Sequence, residues 1–143
     1  MDYRIGYLFK VITDKIKINA DTDMRRHNLT LTQSRVLTFL EKKGGTATQK
    51  EIEEFLEVAH PTVVGIVSRM EQNGFVISWT DPDDKRNKLV KLTKRAEMLG
   101  RELESVISEH DRKMLAGLTD RQIEELKKSL MVIYENLNEA FGK

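Results

Sequence analysis

Residues 81–86 read Asp-Pro-Asp-Asp-Lys-Arg, and their types and spacing suggest a charged loop that can contact another molecule. Pro82 follows an aspartate, at the position that proline favours in a tight turn. Short apolar runs lie on both sides of the segment, at 75–77 and 89–92. This pattern predicts a β-hairpin with a charged tip.

Arg86 is the residue of this tip that is best suited to bind a nucleic acid, because a guanidinium fits a narrow, electronegative DNA minor groove. Asp84 would by itself repel phosphate, so we interpret it as an intramolecular partner that holds Arg86 in one orientation. A plain solvated turn is the alternative. Lys85, Asn87 and Lys88 are predicted to add contacts to the DNA backbone.

The segment 60–74 just before the hairpin is predicted to form an amphipathic helix. Pro61 stands at its expected first position, and Val63, Val67 and Met70 recur at helical spacing on the side that would be buried. A helix followed by a hairpin with a cationic tip is the arrangement of a winged helix-turn-helix. In that fold the helix enters the major groove of DNA and the hairpin reaches toward the minor groove.

The other face of this helix presents Thr62, Gly65 and Arg69, at positions i, i+3 and i+7. There Thr62 could contact a thymine methyl group, Gly65 would let the helix approach the bases, and Arg69 could bind guanine or phosphate. A solvated face is the alternative, but a glycine inside a helix costs about 1 kcal/mol, which favours a functional reason. The predicted DNA-binding residues of the helix are His60, Pro61, Thr62, Gly65, Ser68 and Arg69.

Two further short helices are predicted upstream of these elements. Thr32 is expected to cap the first, and the glycine pair at 44–45 to close it. Thr48 and Glu51 have the spacing of a capping box for the second. With the hairpin and its helix, these elements predict a DNA-binding lobe at residues 29–92.

Residues 1–28 and 93–143 are predicted to form dimerisation helices. A fifth helix is expected from about residue 93 to 116, and a capping box of Thr119 and Gln122 opens a sixth. The first, fifth and sixth helices carry more apolar surface than the small lobe can cover, so we expect a second copy of the chain to cover it. An intrachain helical bundle is the alternative.

The composition excludes several classes of protein. A length of 143 residues predicts one domain, 1–143. The net charge of +1 gives the chain no general attraction to nucleic acid. Between residues 60 and 95, however, there are seven cationic and four anionic residues. The chain has no cysteine, and its histidines at 27, 60 and 110 lack ligand spacing, so neither metal nor cofactor is predicted. There is no catalytic motif, apolar leader or membrane-spanning run, which predicts a cytoplasmic protein that is not an enzyme.

Three segments resemble the MarR family of transcriptional regulators. Residues 31–37 resemble the start of the family's second helix, residues 61–76 resemble its recognition helix and exit, and residues 81–86 followed by Leu92-Thr93 resemble its wing signature. The resemblance implies a homodimer that binds pseudo-palindromic double-stranded DNA, usually as a repressor, and that a small aromatic or anionic effector releases. The chain departs from the family at Ser78-Trp79, where basic residues are common.

The predicted fold is mainly α-helical with a small β-hairpin wing (α+β), a winged helix-turn-helix flanked by N- and C-terminal dimerisation helices. The predicted function is sequence-specific binding of double-stranded DNA in transcriptional regulation. The alternative is a winged-helix module that binds another protein instead of DNA. The predicted reading face offers threonine, glycine, serine and arginine rather than exposed aromatic residues, which favours DNA.

Overall fold

The computed structural model describes residues 3–141, with side chains through residue 139, and residues 1–2 and 142–143 lie outside the described part of the chain. The helices are α1 Ile5–Met24, α2 Leu31–Lys42, α3 Gln49–Leu56, α4 His60–Gln72, α5 Lys94–Met114 and α6 Asp120–Phe141. The strands are β1 Thr46–Thr48, β2 Val76–Thr80 and β3 Lys88–Leu92, and a short 3-10 helix, Arg25–His27, follows α1. The predicted winged-helix fold class is confirmed.

The start of α2 differs from the prediction, because Thr30 and not Thr32 caps this helix. The Thr30 hydroxyl accepts a hydrogen bond from the backbone N–H of Gln33 at 3.2 Å, and the Gln33 side-chain oxygen accepts one from the Thr30 N–H at 3.1 Å. Thr30 has an extended backbone (φ −101°, ψ 166°), as a cap requires, whereas Thr32 lies inside the helix. Asp21 of α1 accepts from the N–H of Leu31 at 2.6 Å and satisfies a further donor of the first turn.

The two helices that follow begin close to their predicted positions. The capping box of Thr48 and Glu51 at the start of α3 is confirmed in both directions, at 3.1 and 2.9 Å. In α4 the first backbone hydrogen bonds are accepted by Ala59, so the helix begins at His60. Pro61 is therefore its second residue and not its first. Proline is tolerated there because the N–H groups of the first turn have no partner within the helix.

The wing belongs to a three-stranded antiparallel sheet in which β3 lies between β1 and β2. The hairpin pairs Val76 with Leu92 and Thr80 with Lys88. The third strand, β1, was not predicted; it is only three residues long and pairs Ala47 with Val90, distant in sequence. This pairing fixes the base of the wing to the segment that leads into α3.

The chain divides into two compact units between Ile107 and Ser108, within α5. In the first unit, apolar side chains from α2, α3, α4 and the sheet form a common core. Among its fully buried members are Val36, Leu40, Ile52, Val63, Val67, Met70, Phe75, Val76 and Val90. The predicted buried face of α4 is thus confirmed, and Ile66 joins it.

The second unit contains the end of α5 and all of α6. The predicted capping box at the start of α6 is present, with Thr119 and Gln122 exchanging hydrogen bonds at 2.9 and 3.1 Å. The fifth helix ends at Met114 rather than near residue 116, because the chain tightens into turns and reaches Gly117 with φ at 92°. Over residues 3–141, no helix has the length and apolar character needed to cross a membrane.

Candidate DNA-binding surface

The loop at the wing tip, residues 81–87, consists of two successive turns. The N–H of Asp84 donates to the carbonyl of Asp81 at 3.3 Å, which places Pro82 at the predicted second position of the first turn. The N–H of Asn87 donates in the same way to the carbonyl of Asp84 at 2.9 Å. The carboxylate of Asp81 also accepts from the N–H of Asp83, at 2.9 Å. The tip is therefore held by its own hydrogen bonds.

Asp84 and Arg86 form a bidentate ion pair at this tip. The Arg86 Nε and Nη2 atoms donate to the two carboxylate oxygens of Asp84 at 3.0 and 3.2 Å, and the Arg86 backbone N–H donates at 3.1 Å. The Arg86 side chain remains 89% exposed while that of Asp84 is 34% exposed. The aspartate thus holds one edge of the guanidinium, and the rest of the group stays accessible to a ligand.

The same contacts keep Asp84 ionised. Its pKa is lowered from the usual value, first by the hydrogen bonds from the Arg86 side chain and then by the one from the Arg86 backbone. Both favour the charged carboxylate. The pair is therefore intact at neutral pH, and the Arg86 guanidinium offsets the negative charge of Asp84 that would otherwise repel a phosphate backbone.

The exposed side of α4 carries the residues that the sequence predicts for the major groove. Pro61, Thr62, Ser68 and Arg69 are exposed, whereas Val63, Ile66, Val67 and Met70 anchor the opposite side in the core. The exposed side of the helix therefore combines small polar side chains with the apolar Pro61 and Val64, the latter 41% exposed. No aromatic residue lies on it.

Gly65 leaves a shallow site on this surface that the Arg69 side chain partly covers. A Cβ atom added at Gly65 would lie 3.6 Å from Nη2 of Arg69 and 3.8 Å from Nη1. These are ordinary van der Waals distances, so the free protein does not require glycine at this position. A requirement for glycine must arise from a molecule that approaches α4 from outside.

A groove of about 740 Å³ lies between α3, the start of α4 and the wing. Its lining residues are Gln49, Lys50, Glu53, Glu54, Val58, His60, Val64, Thr80, Lys85, Arg86, Asn87 and Lys88. The groove therefore brings together five of the predicted DNA-binding residues, which are His60, Lys85, Arg86, Asn87 and Lys88. The other predicted residues do not line it: Pro61, Thr62, Gly65, Ser68 and Arg69 lie elsewhere on α4, and Asp84 supports Arg86.

Sequence reasoning missed the contribution of α3 to this groove. Lys50 and Gln49 lie in its first turn, and Glu53 contacts His60, with 2.9 Å between Glu53 Oε1 and His60 Nδ1. The capping box at Thr48 indicates where α3 begins. It gives no information about which neighbouring helix the first turn of α3 faces.

The base of the wing is tied to the end of α4 by side chains. Thr93 donates from its hydroxyl to the carbonyl of Gly74 at 2.7 Å. The guanidinium of Arg95 donates to the carbonyl of Asn73 and lies 4.7 Å from the centre of the Phe75 ring. Arg95 is one of the cations counted in the sequence, but these contacts assign it a structural role at the exit of α4. The wing and α4 are thus connected at their common end.

Comparisons with known proteins agree with this architecture. The family model described as the MarR family matches residues 27–87. The chain is 40% identical over 80 residues to YwoH of Bacillus subtilis, an uncharacterised HTH-type transcriptional regulator. That match spans 56% of this chain and 58% of YwoH.

Solved structures resemble the chain over nearly its whole length. MepR of S. aureus, in its complex with DNA, has a TM-score of 0.87 at 24% identity and covers 95% of this chain and 100% of its own. The organohalide-sensing regulator RdhR, in its 2,4-dichlorophenol-bound form, has a TM-score of 0.83 at 23% identity, with 94% and 82% covered. At these identities the likeness establishes the fold.

Proposed function

We propose that this chain is a MarR-family protein and a cytoplasmic, sequence-specific DNA-binding regulator of transcription, because the MarR family model matches its winged-helix segment and an HTH-type regulator is 40% identical to it over 80 residues. It acts as a repressor on pseudo-palindromic double-stranded DNA. Residues 29–92 form the DNA-binding lobe. The helices on either side of it, in residues 1–28 and 93–143, form the dimer.

The observation that carries this proposal is the exposed guanidinium of Arg86, held by Asp84 at the tip of the wing. A bidentate partner fixes the guanidinium plane before any ligand arrives, so less side-chain entropy is lost on binding. A planar cation at the end of a narrow hairpin fits the electronegative minor groove. Lys85 and Lys88 beside it are suited to contact the flanking phosphates.

The exposed side of α4 occupies the major groove in this proposal. Thr62 and Arg69 are the side chains that reach base edges or phosphates, and Ser68 adds a hydroxyl donor. Gly65 lets the helix backbone approach the bases closely. His60 and Pro61, at the start of α4, lie near the DNA backbone.

A homodimer is proposed because α1 and α6 each expose apolar residues that a monomer leaves in water. On α1 these include Ile5, Tyr7, Phe9, Ile12 and Ile18, and on α6 they include Leu126, Leu130, Met131, Val132, Tyr134 and Leu137. Apolar surface on this scale is typical of an interface. A two-fold dimer also presents two copies of α4 to two half-sites.

Release by a small aromatic or anionic effector is the regulatory part of the proposal. The related fold of RdhR in its 2,4-dichlorophenol-bound form supports an aromatic ligand. An effector acts on DNA affinity only if it binds the two states of the protein with different affinity.

The proposal is tested by selecting bound duplexes from random-sequence DNA with the purified protein. We expect enrichment of a site with two related half-sites, about one helical turn apart. The selected duplex should then bind more tightly than a scrambled duplex of equal length. Equal binding to both, or no binding at low salt, would instead favour the winged-helix module that binds protein.

A further inference from the structure

Glu53 is an acidic residue within a surface that is proposed to bind a polyanion. Its Oε1 atom lies 2.9 Å from Nδ1 of His60, the first residue of α4. A carboxylate can only accept a hydrogen bond, so Nδ1 must carry the proton. The remaining ring nitrogen of His60, Nε2, is then the only one available to a ligand.

The exposure of the two side chains is unequal. Glu53 is 19% exposed, whereas His60 is 66% exposed and lines the groove between α3, α4 and the wing. The carboxylate therefore lies behind the ring. This is the same order as at the wing tip, where the less exposed Asp84 lies behind the more exposed Arg86.

The charges around the groove favour an anionic ligand at Nε2. Lys50 of α3 and Lys85, Arg86 and Lys88 of the wing line the groove, against Glu53 and Glu54 of α3. With the Glu53 charge directed at His60, the cations outnumber the one remaining carboxylate. A protonated imidazole would add to this excess and could donate from Nε2 to a phosphate oxygen.

We propose that Glu53 is a positioning residue for DNA binding, which holds Nδ1–H of protonated His60 so that Nε2–H donates to a DNA phosphate. This role rests on the proposed DNA-binding function. Glu53 itself does not contact the DNA. Its effect on affinity therefore passes entirely through His60.

For Glu53→Ala, we expect a change in DNA affinity opposite to the one that charge alone predicts. Removing a negative charge near DNA should tighten binding, whereas Glu53→Ala should weaken it several-fold because the imidazole loses its partner. Glu54→Ala is the matched control. Glu54 lines the same groove, and within the described residues its side chain has no hydrogen bond or ion pair, so its removal should leave affinity unchanged or tighter.

The experiment measures the Kd of each variant for a duplex recovered by selection from random-sequence DNA, at fixed salt and at an acidic pH that favours the charged imidazole. His60→Ala should bind about tenfold more weakly than wild type, as expected for loss of one charge-assisted hydrogen bond. Adding Glu53→Ala to His60→Ala should cause no further loss. Thermal melting of each variant checks that the fold is retained.

A pH series separates this role from a purely structural one. Raising the pH favours the neutral imidazole, which keeps Nδ1–H toward Glu53 and has no Nε2–H to donate, so wild-type affinity should fall toward that of His60→Ala. The difference between the two proteins should be smallest at the alkaline end. A structural role for the pair would leave that difference unchanged with pH.

Two results would overturn the proposal. One is Glu53→Ala binding as tightly as wild type or more tightly, which is the result expected for Glu54→Ala. The other is an affinity difference between wild type and His60→Ala that stays constant with pH. Neither result would affect the proposed function, which fails if the wild-type protein does not bind the selected duplex or binds a scrambled duplex equally well.

Discussion

Replacement of Gly65 by alanine should change the stability of the free protein and its affinity for DNA in opposite directions. In the free protein, the new Cβ would meet only the Arg69 guanidinium, at 3.6–3.9 Å, and these distances carry no steric penalty. Alanine is favoured over glycine inside a helix by about 0.8–1.0 kcal/mol. We therefore expect Gly65→Ala to stabilise the protein.

The size of the stabilisation follows from the length of the chain. With an unfolding entropy of about 2.1 cal/mol/K per residue, a gain of about 1 kcal/mol in this chain of 143 residues raises Tm by about 3 °C. Gly100→Ala in α5 is the control. Its Cβ would lie 3.4 Å from the flexible end of Glu41, remote from the proposed reading face, so a similar shift in Tm is expected.

DNA affinity should respond in the opposite direction. If the α4 backbone at Gly65 approaches the base edges, a methyl group there holds the helix away from the groove. The loss expected for one displaced groove contact is about 1–3 kcal/mol, which corresponds to an increase in Kd of about fivefold to 150-fold. Gly100→Ala should bind DNA as wild type does.

Thermal melting and a binding titration on the selected duplex provide the two measurements. A Gly65→Ala protein that melts higher and binds DNA with unchanged affinity would refute close approach at this position. A protein that melts lower would show that the surroundings of Gly65 are tighter than the distances to Arg69 indicate.

Three other predictions concern the wing, the salt response and acid stability. Arg86→Ala should weaken DNA binding by about 1–3 kcal/mol. Asp84→Ala should also weaken it, with little further loss in the double variant. Tighter binding by Asp84→Ala in a titration at fixed salt would exclude the positioning role of Asp84. Affinity should fall by several decades between about 50 and 200 mM salt if a dimer makes on the order of ten phosphate contacts; a flat response, measured by titration across that range, would argue against DNA. The pKa of Glu51 is lowered, first by the hydrogen bond from Lys43 and then by the Thr48 backbone N–H. This carboxylate therefore stabilises the fold above its unfolded pKa of about 4.3, and the contribution is lost as pH falls through the lower folded value. Glu51→Gln, which can keep the capping box, should show less loss of Tm between about pH 5 and pH 3 than wild type does.

The helix caps show how far local sequence determines structure. The boxes at Thr48 and Thr119 were predicted correctly because each joins residues three positions apart through side chains that can reach only the nearby backbone. The same spacing occurs at Thr30 and Gln33, and the prediction that Thr32 caps α2 is wrong. Both threonines are plausible caps from sequence. The choice between them also depends on Asp21 of α1, which accepts from the N–H of Leu31.

The ion pair of Asp84 and Arg86 was predictable for the same reason as the correct caps. The two groups are two positions apart along the chain, and the turns that bring them together form from residues 81–87 alone. The amphipathic pattern of α4 likewise indicated which side is buried, because helical periodicity depends only on sequence spacing. The wing tip and the exposed side of α4 therefore follow from the sequence by itself.

The third strand and the groove depend on the tertiary structure. Strand β1 has three residues and pairs with β3 more than forty positions away, so no local signal marks it. Glu53 and His60 lie on different helices, and their contact depends on the angle at which α3 and α4 pack. The buried side chains of the core determine that angle. Sequence by itself determined the turns, the caps at Thr48 and Thr119 and the exposed face of α4, because those contacts are short in sequence. Only the tertiary structure decided that α3 supplies a carboxylate behind His60 and one wall of the groove, because packing between elements brings those groups together.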